Sequence, residues 1–121
     1  MDKENFFKDR IRSVGVAMRG AFLLVQTEGS IKVQAIIMVL VTGAGIYYDI
    51  SAVEWMLQVF AIGLVLGVEG VNTAIEKLSD YVQPQFDSKI GFIKDISAGA
   101  VMCVSLAASI IGLIIYVPKI F

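Results

Sequence analysis

Three apolar stretches govern what this chain can become. Residues 33–48 read VQAIIMVLVTGAGIYY, residues 59–68 read VFAIGLVLGV within a run that starts near Ala52, and residues 101–117 read VMCVSLAASIIGLIIYV. With its flanks, each supplies the ~20 residues that cross a hydrocarbon core. The rest of the composition agrees. The chain is 57% hydrophobic with a mean hydropathy of +0.78, whereas soluble domains run at about 45–50% apolar. A soluble chain of 121 residues buries too little of its surface to hide so much apolar area. The length suits one domain, residues 1–121, not two.

The expected architecture is all-α and integral to a membrane. Phe7, Ile11, Val14, Met18 and Phe22 recur at steps of three or four, so residues 5–26 form an amphipathic helix with one apolar stripe. Lys8, Arg10, Arg12 and Arg19 mostly fall elsewhere, as in a helix lying in the membrane interface. The alternative for this segment is a soluble helix docked on a partner. TEGS, residues 27–30, breaks the chain. Three spans follow at about 31–49, 52–80 and 89–117. Tyr47 and Tyr48 end the first where an aromatic belt is expected. Pro84 breaks the second and Pro118 closes the third.

The basic residues set the orientation. Lys3, Lys8, Arg10, Arg12 and Arg19 precede the first span, and Lys77, Lys89 and Lys94 return between the second and third. The turn between the first two spans carries only Asp49 and Glu54. The positive-inside rule places the N-terminus and the second connection in the cytoplasm. The N-terminal residues lack the apolar core and cleavage site of a signal peptide and are read as mature protein. Gly63 and Gly67, Ser105 and Ser109, and Ala108 and Gly112 stand at small-xxx-small spacing, which lets helices approach closely. Three spans make too thin a bundle to shelter many charges, so a homo-oligomer is expected.

Several function classes are excluded. A net charge of −1 offers no basic face for nucleic acid. The chain has no histidine, which removes Ser-His-Asp and Cys-His catalysis and imidazole metal sites. Its one cysteine, Cys103, can form no internal disulfide and suits helix packing. No G-x-x-x-x-G-K-[ST] motif is present, and GAG at 43–45 is followed by IYY, unlike a dinucleotide loop.

What remains is acidic. The second apolar run passes without a break into VEGVNTAIEKLSD, residues 68–80. At about 100° per residue, Glu69, Asn72, Glu76 and Asp80 fall within an arc of roughly 80°. A carboxylate within a span costs at least about 3 kcal/mol unless paired, so this stripe faces cations or a polar site. Lys94 and Asp95 open the third span on the same side, where Gly91, Ser97, Ala98, Gly99 and Ala100 keep the backbone open. Glu28 adds an acid at that membrane face. Glu28 and Glu76 could jointly hold Mg²⁺, which takes one or two carboxylates beside substrate phosphates, and Lys94 could meet a phosphate. This set suggests phosphoryl transfer from ATP, with the acceptor arriving from the lipid. Two alternatives stand beside it. One is a non-enzymatic membrane scaffold whose acids pair with Lys94 or the N-terminal arginines. The other is an ion or proton carrier, which would need polar residues where 59–68 has none.

EGVNTAIEKLSD, residues 69–80, followed by KDISAGAV, residues 94–101, resembles the signature of the prokaryotic diacylglycerol kinase and undecaprenol kinase family. The likeness runs over nearly the whole chain. It implies a surface helix and three spans in a homotrimer of the bacterial inner membrane, acting on a lipid alcohol with ATP and Mg²⁺ through sites shared between subunits. Residue by residue, it implies that Glu69 is the base for the lipid hydroxyl and that Asn72 orients Glu69 or the acceptor. Glu28 and Glu76 would hold the ATP-bound Mg²⁺. Asp80, Lys94 and Asp95 match nucleotide-site positions, Arg10 or Arg12 would meet phosphate, and Ser97 and Ala98 would line the acceptor's path. The chain departs from the family at Val16, often aromatic in relatives, at Gln34, where relatives have Glu or His, and at Gly29, where many have Arg. NTAIEK and KDISAGAV stand closer to the undecaprenol branch than to the diacylglycerol branch.

Overall fold

The computed structural model describes residues 3–121. Among them the chain is four helices: α1 Lys3–Thr27, α2 Gly29–Tyr47, α3 Ala52–Val82 and α4 Ser88–Ile120. Three of these, α2, α3 and α4, are long and apolar enough to cross a membrane. At 1.5 Å per residue α2 measures about 28 Å and α3 about 46 Å, against a hydrocarbon core of about 30 Å. α3 therefore has roughly 16 Å of helix to spare, enough for its acidic end to leave the core.

Local sequence explains each boundary. Between α1 and α2 the helix is interrupted only at Glu28, whose extended φ of −106° and ψ of 121° turn the chain. The expected four-residue break at 27–30 is thus a single residue, because Thr27, Gly29 and Ser30 all keep helical pairing. α2 ends in a Schellman motif. Asp49 takes the left-handed conformation, φ 49°, its N–H bonds to the Ile46 carbonyl at 3.3 Å, and the Ile50 N–H reaches Gly45 at 3.2 Å. Glycine usually holds that position, but aspartate tolerates it. α3 then opens with a capping box. The Ser51 hydroxyl accepts from the Glu54 N–H, and the Glu54 carboxylate accepts from the Ser51 N–H. α4 is capped by Asp87, which accepts from Lys89 and Ile90. Contrary to the sequence expectation, Pro118 does not close α4. It lies inside the helix, which runs on to Ile120, because one missing N–H so near the end removes a single bond.

The short links reverse the chain twice, so α3 lies antiparallel to both α2 and α4. α3 packs chiefly on α4, less on α2, and α1 touches α2. Gly45 is buried against Trp55, and a Cβ there would stand 2.8 Å from the indole. At the ends of α3 and α4 farthest from Glu69, Lys119 reaches Glu54 at 3.1 Å. Within about two turns of those ends a polar knot joins all three spans. The Tyr116 hydroxyl lies 2.5 Å from Gln58 Oε1 and 3.1 Å from the Val41 carbonyl, while Gln58 Nε2 donates to that carbonyl at 3.4 Å. Buried apolar side chains are few: Ile31, Ile50, Ala61, Val65 and Ile115. Most large apolar residues point outward, the inverse of a soluble core and the form that lipid demands.

Candidate functional site

The site is built on one face of α3. Its buried residues are Gln58, Ala61, Val65, Glu69, Thr73 and Ser79. The first five recur at three or four residues, so they form a single stripe along the helix. This stripe runs from the Gln58 amide through Ala61 and Val65 to the carboxylate of Glu69. Glu69 is only 8% exposed. Its Oε2 is buried and, among the described residues, has no hydrogen-bond partner. A buried carboxylate oxygen left unbonded is costly, and such groups mark functional sites.

One turn on, Asn72 Nδ2 donates to Glu76 Oε1 at 3.3 Å. That bond orients the amide and leaves Asn72 Oδ1 buried and likewise without a partner. Two acceptors three residues apart, both awaiting a donor, lie at the foot of the apolar run. Glu76 itself is exposed. Asp80 receives Lys94 Nζ at 2.5 Å, which ties the end of α3 to the start of α4. Glu28 receives Lys77 Nζ at 3.0 Å, bringing the α1–α2 corner to the same end of α3. Of the pairs the scaffold alternative expects, Lys94–Asp80 is present, while among the described residues Glu69 and Glu76 have no cation against them.

The other expected residues scatter more widely. Ser97 is buried on α4 at 8% exposure, while Asp95 and Ala98 are exposed. Arg10 lies on α1, none of whose residues is buried, and its guanidinium sits 5.1 Å from the Phe6 ring centre. The last turns of α1 do approach the site: a Cβ on Gly70 would meet Leu24 at 3.0 Å. Among the described residues no three acidic or thiol side chains gather into a ready cation cage.

Three side chains escaped the sequence reading. Thr73 is buried beside the acids, one turn from Glu69, and that spacing could have revealed it. Lys77 entered only as a topology marker. Gln58 lies at the head of the same stripe, 4% exposed, but a search for charges passes over an amide.

Comparison with known proteins supplies the context for this geometry. Residues 15–116 match the family described as prokaryotic diacylglycerol kinase. The chain is 32% identical over 114 residues to the undecaprenol kinase of Bacillus subtilis (strain 168), covering 94% of this chain and 89% of that protein. It is 24% identical over 100 residues to the diacylglycerol kinase of Escherichia coli (strain K12), covering 83% and 82% respectively. With most of its length matched, this chain belongs to the prokaryotic diacylglycerol kinase family.

Proposed function

We propose that the protein is a membrane lipid kinase that transfers the γ-phosphate of ATP to the hydroxyl of a lipid alcohol at the inner leaflet. The observation that carries this reading is the buried Oε2 of Glu69, unpartnered among the described residues, on a stripe that runs through Ala61 and Val65 to that carboxylate. A base for a lipid hydroxyl has to reach into the bilayer, and groups that meet a nucleotide have to stay in water. α3 offers both within one helix. Glu69 takes the proton of the acceptor hydroxyl as the hydroxyl oxygen attacks the γ-phosphorus and the bond to the ADP oxygen breaks. Asn72, its amide held by Glu76, stands one turn from Glu69 and orients that base or the acceptor.

Glu28 and Glu76 are hard oxygen donors of the kind that Mg²⁺ prefers. Lys77 pairs with Glu28 at 3.0 Å, so a metal ion taking that carboxylate would displace the lysine. When bound, Mg²⁺ would neutralise the β- and γ-phosphate oxygens. Lys94, released from Asp80, would add charge on the nucleotide, with Asp80, Asp95 and Arg10 around it. Ser97 and Ala98 border the path of the acceptor. The first helix lies on the cytoplasmic membrane surface, the N-terminus is cytoplasmic, and the protein works in the bacterial inner membrane as a homotrimer with shared sites. The higher identity to an undecaprenol kinase supports a polyprenol acceptor over diacylglycerol.

The test is purified protein with Mg-ATP and a panel of lipid alcohols, scored for phosphorylated lipid. Product is expected, with undecaprenol ahead of diacylglycerol. Glu69→Gln, which keeps size and removes the base, is expected to cost about 10²–10⁴-fold in turnover with the fold intact. Absence of product with every alcohol would sink the reading.

A further inference from the structure

A cavity of about 300 Å³ lies between α2, α3 and α4, with no acidic residue in its lining. On α3 its lining runs from Leu66 to Gln58, and on α4 from Ser105 to Tyr116. Because these helices are antiparallel, Leu66 and Ser105 mark its inner end, and Gln58 and Tyr116 its outer end. The inner end stops about 4.5 Å of helix rise short of Glu69, on the same buried stripe. The outer end is closed by the polar knot, in which Tyr116 and Gln58 meet the Val41 carbonyl. From Leu66 to Gln58 is about 12 Å of helix. Spread over that length, the volume gives a section of about 25 Å², room for one hydrocarbon chain side by side with nothing else. Its walls are mostly apolar, and a 150 Å³ apolar cavity already takes benzene.

We propose that this cavity is a slot for the first stretch of a single hydrocarbon chain of the acceptor alcohol, and that the Gln58–Tyr116 bar turns the chain back into the bilayer. This rests on the lipid kinase reading and deepens it by giving the acceptor's single chain a place in the fold. A chain seated here carries its hydroxyl to Glu69. The slot sets the depth of the hydroxyl through the apolar contacts behind it, and the hydrogen-bonded bar keeps the chain from sliding further out. A two-chain lipid has to leave one chain outside.

Gly112 provides the test. It lines the cavity, and a Cβ added there meets nothing within 4 Å, so Gly112→Leu fills the slot without a backbone clash. Turnover is measured with a long-chain prenol and with a prenol of one isoprene unit, both in detergent micelles. The ratio of kcat/KM for the long prenol to that for the short one is expected to fall tenfold or more. An unchanged ratio would overturn the slot. A second measurement needs no variant and no turnover. A long-chain prenol carrying a mid-chain diazirine is irradiated with the wild-type protein and the labelled residues are mapped. Labels at Ser105, Gly112 or Tyr116 support the slot. Labels confined to outward residues such as Leu106 and Leu113, or none at all because a second copy fills the space, refute it. Wild-type protein that phosphorylates no alcohol yet carries the cavity label would instead defeat the kinase reading and leave the slot standing.

Discussion

Lys94 and Asp80 form the shortest ion pair among the described residues, yet their side chains remain 36% and 65% exposed. An exposed pair of this kind contributes about 0–1 kcal/mol, so little of the fold's stability rests on Lys94. Lys94→Met should therefore change the unfolding temperature in detergent by only a few degrees, with ΔΔG below about 1 kcal/mol. If Lys94 meets phosphate, the same variant should raise KM for ATP tenfold or more. A large loss of stability with an unchanged KM would make the pair structural. Glu69 is the opposite case. It is buried, and no cation lies against it among the described residues, so its cost to the fold is not offset by a pairing partner.

At the scale of the helices, α3 carries most of the design. Glu54 works twice: one oxygen caps the Ser51 N–H and the other accepts from Lys119 of α4. The start of α3 and the end of α4 are thus joined through one carboxylate. Ser51→Ala removes the hydroxyl that accepts the Glu54 N–H and should cost about 1 kcal/mol, whereas Ser51→Gly should cost only a few tenths. Thermal unfolding in one detergent compares the two, and equal losses would contradict a capping role. Much of this element was legible in advance. The apolar run and the period of Glu69, Asn72, Glu76 and Asp80 identify the helix and its polar face, because both depend only on spacing. SAVE, residues 51–54, is also a readable capping box, but counting charges alone makes Glu54 look like a loop acid. The Tyr116–Gln58–Val41 knot could not be read in the same way. It joins residues 58 and 75 positions apart or closer, and one partner is a backbone carbonyl with no side-chain signal. Asp49 in the left-handed region was hidden for a related reason, since glycine is the usual sign of that motif.

The whole molecule exposes 9143 Å², against about 6,400 Å² for a compact soluble chain of this mass. Lipid accounts for part of the excess, because outward leucines and isoleucines cost nothing in hydrocarbon. Glycines are different. Gly63 and Gly67 stand one turn apart on the outward side of α3, both exposed, and a Cβ on either meets nothing within 4 Å. Lipid does not call for a small residue, whereas close approach of another helix does. α4 has only Ser97 and Ile115 buried along its 33 residues, so its outer face is equally available. A second copy set against Gly63 and Gly67 would pack on the outward face of α3, and since this chain alone gathers too few ligands for a cation among its described residues, a site shared between copies would be lost with that contact. Gly67→Leu should therefore block association and activity together. Native mass spectrometry in detergent is expected to give a trimer for the wild type and smaller species for the variant, with kinase turnover falling in proportion to the trimer lost. A variant that dissociates and keeps full turnover would show that each subunit completes its own site.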